Sequence, residues 1–200
     1  MEGQTHIMAK KYLNKYRIES IRLKGYDYSS NGAYFITIVT KNREHFFGKI
    51  MDGKMILNGI GENAQKYWDE IPQHFSFIRL DEMVVMPNHI HGILWIDKFD
   101  DGIGIRRNVA CNVSTGNMKN NKMMEISPKQ GSISTVIRSF KSVVTNKSRP
   151  INPNFAWQSR FHDRIIRNEN ELNRIRKYIR ENPVIWQRDR NNESKFGTTK

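Results

Sequence analysis

Cysteine occurs once, at Cys111, so the chain can form neither an internal disulfide nor a CxxC zinc site, and nothing in it asks for an oxidising compartment. Long apolar runs are missing too, for none approaches the ~18 residues of a spanning helix. The polar start MEGQTHIMAKKYLNKYR holds no apolar signal core, so a cytoplasmic protein with no membrane partner is expected. Acidic residues are scarce. Against 33 Lys and Arg stand 20 Asp and Glu, a net charge of +13 that concentrates polyanions and makes nucleic acid the natural partner. The plainer reading is a basic face that serves solubility alone. The surplus lies towards the chain ends, since residues 51–100 carry 4 basic against 8 acidic side chains and residues 133–200 carry 15 against 6.

What is present suffices for one core. Hydrophobic residues make up 38% of the chain, with ten Phe and four Trp, which fits one globular domain with appendages. The domain is expected over 21–187, after a basic leader (1–20) and before a polar tail (188–200). The Asn- and Gly-rich stretch 98–131 lacks periodicity and reads as a flexible insertion. Residues 33–40 are rich in aromatic and β-branched side chains and predict a strand, while 58–72 space Ile60, Ala64, Tyr67, Trp68 and Ile71 as a helix stopping at Pro72. Residues 77–85 and 89–96 predict two antiparallel strands joined at Met86-Pro87-Asn88. Residues 132–147 form a helix with a basic, hydroxylated outer face suited to phosphates, and 155–166 hold a further strand. A last helix spans 168–182, with Asn168 as N-cap, Glu169 and Glu171 in its first turn and Pro183 as its stop. This order predicts an α+β fold of split β-α-β type, a central antiparallel sheet with helices packed mainly on one face.

Chemistry concentrates in Met86-Pro87-Asn88-His89-Ile90-His91-Gly92. On a strand His89 and His91 point the same way, so both imidazoles can grip one ion; alternatively they are two ordinary core histidines. The last helix supplies a partner. Of seven tyrosines only Tyr178 is followed four residues later by Asn or Gln, here Asn182, and that spacing puts both on one helical face. The helix can thus carry a nucleophile and a third ligand together. The bland alternative is a tyrosine at the core edge and an asparagine punctuating the helix end.

Five blocks in order, Arg22-Leu23-Lys24-Gly25-Tyr26-Asp27-Tyr28-Ser29, Ala33-Tyr34-Phe35-Ile36-Thr37, Met86-Pro87-Asn88-His89-Ile90-His91-Gly92, Trp157-Gln158-Ser159-Arg160-Phe161-His162-Asp163 and Tyr178-Ile179-Arg180-Glu181-Asn182-Pro183, resemble the REP-associated tyrosine transposases. These are relatives of the small single-tyrosine HUH transposases of bacterial insertion sequences. The resemblance implies a ferredoxin-like HUH domain in a nucleoid-associated bacterial protein that binds single-stranded hairpin DNA, with a homodimer left open. It further implies His89 and His91 as metal ligands and Tyr178 as nucleophile. Where the single-tyrosine relatives complete the metal site with a glutamine, this chain has Asn182.

A phenol of pKa ~10 is a poor nucleophile at neutral pH, so a metal must polarise the scissile phosphate. Attack gives a 5′-phosphotyrosine and a free 3′-hydroxyl, and keeping the phosphoester energy in that link suits cleavage and rejoining, a strand transferase of DNA transposition and recombination. Mg²⁺ or Mn²⁺ is expected, with phosphate and water adding oxygens to the two imidazoles and the amide. Arg138, Lys141 and Lys147 on one helix and Arg174, Lys177 and Arg180 on the other are the expected DNA contacts. The leader, Lys10-Lys11-Tyr12-Leu13-Asn14-Lys15-Tyr16-Arg17, has a composition that can also bind single strands. His162 and Asp163 face opposite sides if strand-borne, with structural hydrogen bonding the expected role and proton transfer the sharper alternative. Two other readings remain: a sequence-specific DNA-binding protein without catalysis, and an HUH endonuclease of replication-initiator or relaxase type.

Overall fold

The computed structural model describes residues 22–23, 25–98, 129–188 and 192. The leader, residues 99–128 with Cys111, and most of the tail lie outside the described residues. Strands β1 (Gly32–Val39), β4 (Ile78–Val85), β5 (His89–Ile96) and β6 (His162–Ile166) form one sheet in the order β4-β5-β1-β6, with every neighbouring pair antiparallel. Helices α1 (Gly59–Asp69), α3 (Ile133–Ser148) and α4 (Glu169–Ile185) complete the expected α+β domain, with a short helical turn α2 (Ile71–His74) after α1. Among the described residues no helix is long and apolar enough to cross a membrane.

Alternation along β5 sorts its side chains between two apolar layers, as a central strand requires. Ile90, Leu94 and Ile96 join Ile36 and Ile38 of β1 against Trp68 of α1 and Ile137, Phe140 and Val144 of α3. Ile93 joins Ala33 on the opposite face, where Leu172, Ile175 and Ile179 of α4 cover it. Two of the three long helices thus share one face. The third lies alone over the histidine face. Each large side chain so buried contributes about 1.5–3 kcal/mol relative to exposure.

Gly92 marks the closest approach between the sheet and α1. A Cβ there would meet the Trp68 ring at 2.3 Å. Gly92→Ala is expected to cost about 1–3 kcal/mol by overpacking, read as a Tm lower by roughly 5 °C in thermal unfolding. An unchanged Tm would mean that this packing is looser than described.

Three local readings differ from expectation. Residues 48–57 form a hairpin, β2 (Gly48–Met51) and β3 (Lys54–Leu57), in addition to the strands expected from the sequence. Its turn, Asp52-Gly53, has φ of 50° and 71°, the two left-handed residues that Asp-Gly supplies in a tight hairpin. Pro72 does not merely stop α1; it sits in the first turn of α2, where a missing N–H costs nothing. Pro183 does not stop α4, which runs on to Ile185. Near a helix end the proline removes only one backbone bond, and its own φ is already helical.

Both ends of the undescribed stretch 99–128 are fastened to the loop before β1. The Lys98 N–H donates to Asn31 Oδ1 and the Asn31 amide donates back to the Lys98 carbonyl, each at 3.0 Å, while Lys129 pairs with Asp27.

Candidate active site

The two-residue turn Pro87-Asn88 starts β5, closed by the Met86 N–H donating to the His89 carbonyl at 2.8 Å. Asn88 is fully buried and does two jobs. Its Nδ2 donates to the Arg43 carbonyl at 2.9 Å, which orients the amide so that Oδ1 faces His89 Nδ1 at 2.8 Å. Nδ1 must therefore carry the proton, and Nε2 of His89 keeps its lone pair. This is the outer-shell bond that prepares a ligating imidazole.

His91 lies beside it, with ring centroids 4.5 Å apart, and both rings are buried. The β1–β5 register sets Thr37 opposite His91, and Thr37 Oγ1 lies 2.9 Å from His91 Nδ1. The Tyr178 hydroxyl lies 3.2 Å from His91 Nε2. Phe35 stacks on His91 at 5.2 Å and meets the Tyr178 ring edge-on at 6.2 Å. Tyr178 is 37% exposed, so the phenol is held by the site yet open to a large substrate.

The stripe of α4 facing the pair continues through Asn182 to Trp186, whose ring lies 5.8 Å from His89. Tyr178 meets His91 and Trp186 meets His89, and Asn182 lies one helical turn from each along the same stripe. Its side chain is completely buried, and neither amide atom has a hydrogen-bond partner among the described residues. Leaving a buried amide so costs roughly 1–3 kcal/mol, and a folded core seldom leaves such a group without a partner. Two imidazoles and this amide oxygen are donor types that could hold a divalent ion. Among the described residues no cluster of three or more His, Cys, Asp or Glu offers a competing site.

Two ion pairs on the far flank of α4 fix its position. Arg176 grips Asp81 through both carboxylate oxygens, at 2.8 and 2.6 Å, and Trp95 Nε1 donates to the same carboxylate at 3.1 Å. One turn on, Arg180 reaches Glu82 at 2.6 Å. Neighbours on a regular strand face opposite sides, but a register shift between Leu80 and Met83 lets Asp81 and Glu82 serve one helix. Arg176 holds the Asp81 carboxyl down at about 2. A carboxyl so depressed adds stability that is full above the ordinary value near 4 and is lost as pH falls through about 2. Asp81→Asn is expected to destabilise the fold by about 2 kcal/mol at pH 7. In melts against pH, its Tm gap from wild type should close between pH 4 and 2; a gap constant over that range would discount the ion pair.

The expected DNA contacts divide between the two faces. Arg174, Lys177 and Arg180 belong to α4, where Lys177 pairs with Glu181 and Arg180 with Glu82. Arg138, Lys141 and Lys147 belong to α3, across the sheet from the histidines. The Lys141 ammonium donates to the carbonyls of Gln158 and Arg160 at 2.8 and 2.9 Å, and burial pulls its pKa down to about 8. Asp163 lies on that same face, salt-bridged to Arg22 at 2.8 Å, whereas His162 is exposed on the histidine face. Sequence reading missed Asn88, although it adjoins His89, and missed Trp186 because the helix was ended at Pro183. Thr37 and Phe35 carry no signal short of the strand register.

No protein-family model matches the chain. An uncharacterized protein of Haemophilus influenzae is 38% identical over 171 residues, which cover 85% of this chain and 90% of that one. The two proteins belong to one family. Among solved structures, a REP-associated tyrosine transposase bound to a REP hairpin superposes with a TM-score of 0.53 at 17% identity, over 84% of this chain and 73% of the other. This chain therefore shares the fold of that transposase, here a four-stranded antiparallel sheet with helices in an α+β build.

Proposed function

We propose that this protein is a transposase-like DNA strand transferase that cuts and rejoins single-stranded hairpin DNA through a covalent bond to Tyr178. The observation that carries the reading is the Tyr178 hydroxyl 3.2 Å from His91 Nε2, in a buried histidine pair. The kinship in fold with a protein solved on a REP hairpin supports DNA of that class as the substrate, as does the net charge of +13.

Tyr178 oxygen attacks the phosphorus, the P–O3′ bond breaks, and the products are a 5′-phosphotyrosine and a 3′-hydroxyl that takes up one proton as the phenol loses one. A second 3′-hydroxyl reverses the step and joins a new strand. His89 Nε2, His91 Nε2 and Asn182 Oδ1 would hold a divalent ion, Mg²⁺ or Mn²⁺, and when bound it supplies positive charge against the developing charge on the phosphate. Asn88 keeps His89 in the tautomer that this needs. Phe35 and Trp186 exclude water from the two rings, and the Arg176–Asp81 and Arg180–Glu82 pairs hold the tyrosine helix in register. The test is a denaturing gel of protein, labelled hairpin DNA from beside the gene and Mn²⁺. A slower, protein-bound band supports the reading, and tight hairpin binding with no such band across several flanking hairpins would favour a binding protein without chemistry.

A further inference from the structure

Helix α4 divides the histidine face unequally. One flank, with Arg176 and Arg180, leans on β4. The other carries Glu171, Arg174 and Tyr178 and looks towards β6, where Glu171 meets Arg164 at 2.6 Å. Beyond that bridge, towards the start of β6, Arg164 and His162 are exposed on the histidine face. Thr37 stands opposite His91 on one side and opposite His162 on the other, so the three side chains form a row on one face of β5, β1 and β6. His162 is exposed at the end of the row, and Phe35 with Arg164 forms the next.

At the edge of the sheet beside β6 lies a groove of about 740 Å³ lined from both faces, by Tyr28 and Asp163 on the α3 side and by Arg164, Arg167, Glu171 and Arg174 on the histidine side, among others. Its acids are already neutralised: Asp163 pairs with Arg22, and Glu171 accepts from Arg164 and from the Arg167 N–H. The Arg167 and Arg174 guanidiniums make no hydrogen bond or ion pair among the described residues, so their donors face the groove unspent. Arg174 precedes Tyr178 by one helical turn. Cations thus line this groove up to Arg174 and Arg164, and Tyr178 on α4 and His162 on β6 come next along the same two elements.

We propose that this channel between β6 and the Tyr178 flank of α4 seats the single strand that is cut, with Arg167 and Arg174 on its phosphates and His162 across the strand from Tyr178. The inference rests on the strand-transferase reading and narrows it, because it puts the scissile strand on the histidine face and leaves the α3 cations out of its path. A single strand suits such a channel, where backbone charge is met by cations along a narrow track.

Disulfide trapping tests it. In a Cys111→Ser background, His162→Cys, Arg174→Cys and Arg149→Cys (at the end of α3) are each mixed with a single-stranded oligonucleotide bearing an activated disulfide on one internucleotide linkage. Rates are divided by those for a small thiol reagent. Conjugation at residues 162 and 174 at least tenfold faster than at 149 is expected, and equal rates, or no conjugation at the channel, would overturn the proposal. As a second reading, Arg167→Gln with Arg174→Gln should weaken single-strand binding about tenfold and lower its salt slope by about 1.4, or 0.7 per lost phosphate contact. An unchanged slope counts against the channel. The Tyr178 gel is scored separately: an adduct without channel trapping leaves the enzyme and removes the channel, and trapping without an adduct does the reverse.

Discussion

Tyr178→Phe is expected to erase the covalent protein–DNA band while leaving hairpin affinity within about threefold. Loss of a sole nucleophile removes the chemical route itself, so a fall of three orders of magnitude or more in cleavage is expected. The ring contacts with His91 and Phe35 survive the substitution, so the fold should not suffer. A second readout follows from the single lone pair on His91 Nε2. The phenol and an ion compete for it, so by linkage the phenylalanine variant should bind Mn²⁺ at least as tightly as wild type in calorimetry. Residual adduct in the variant would move the nucleophile elsewhere, and weakened Mn²⁺ binding would make the hydroxyl a ligand.

The other large effect concerns Asn182. Its buried amide lacks hydrogen-bond partners among the described residues, so an apolar residue of similar volume should pack better in the metal-free state. Asn182→Leu is expected to stabilise that state by about 1–2 kcal/mol, with Tm higher by ~2–8 °C. Mn²⁺-dependent cleavage should fall roughly 100-fold, because a ligand has been exchanged for hydrocarbon. Opposite signs in stability and activity are what separate a ligand from an ordinary core asparagine. A variant that melts lower and cleaves normally would place Asn182 in the structural class.

The pair of histidines was legible in the sequence because alternation on a strand depends on nothing beyond the strand. Tyr178 and Asn182 were legible for the same reason, helical spacing being local. Thr37 and His162 were not, for what aligns them with His91 is register, which the chain fixes only when β5, β1 and β6 pair. The pairing of Asp81 and Glu82 with one helix depends on an irregularity in β4 that no periodic template describes. The β2–β3 hairpin is a different case: Asp52-Gly53 is a strong local signal, and it was passed over because the flanking strands are only four residues long. Pro183 misled by being weighed as a helix-breaker when one turn of helix, and a buried Trp186, still lay beyond it.

Asn31 and Asp27 hold the chain on both sides of residues 99–128. The domain thus closes on itself before that stretch begins and resumes where it left off. For flexible connections in general, doubling the length between two pinned ends costs only about 0.6 kcal/mol. Evolution can therefore lengthen, trim or rewrite these thirty positions almost without reference to the sheet. Insertions in this lineage should accumulate there while the histidine and tyrosine elements keep their spacing.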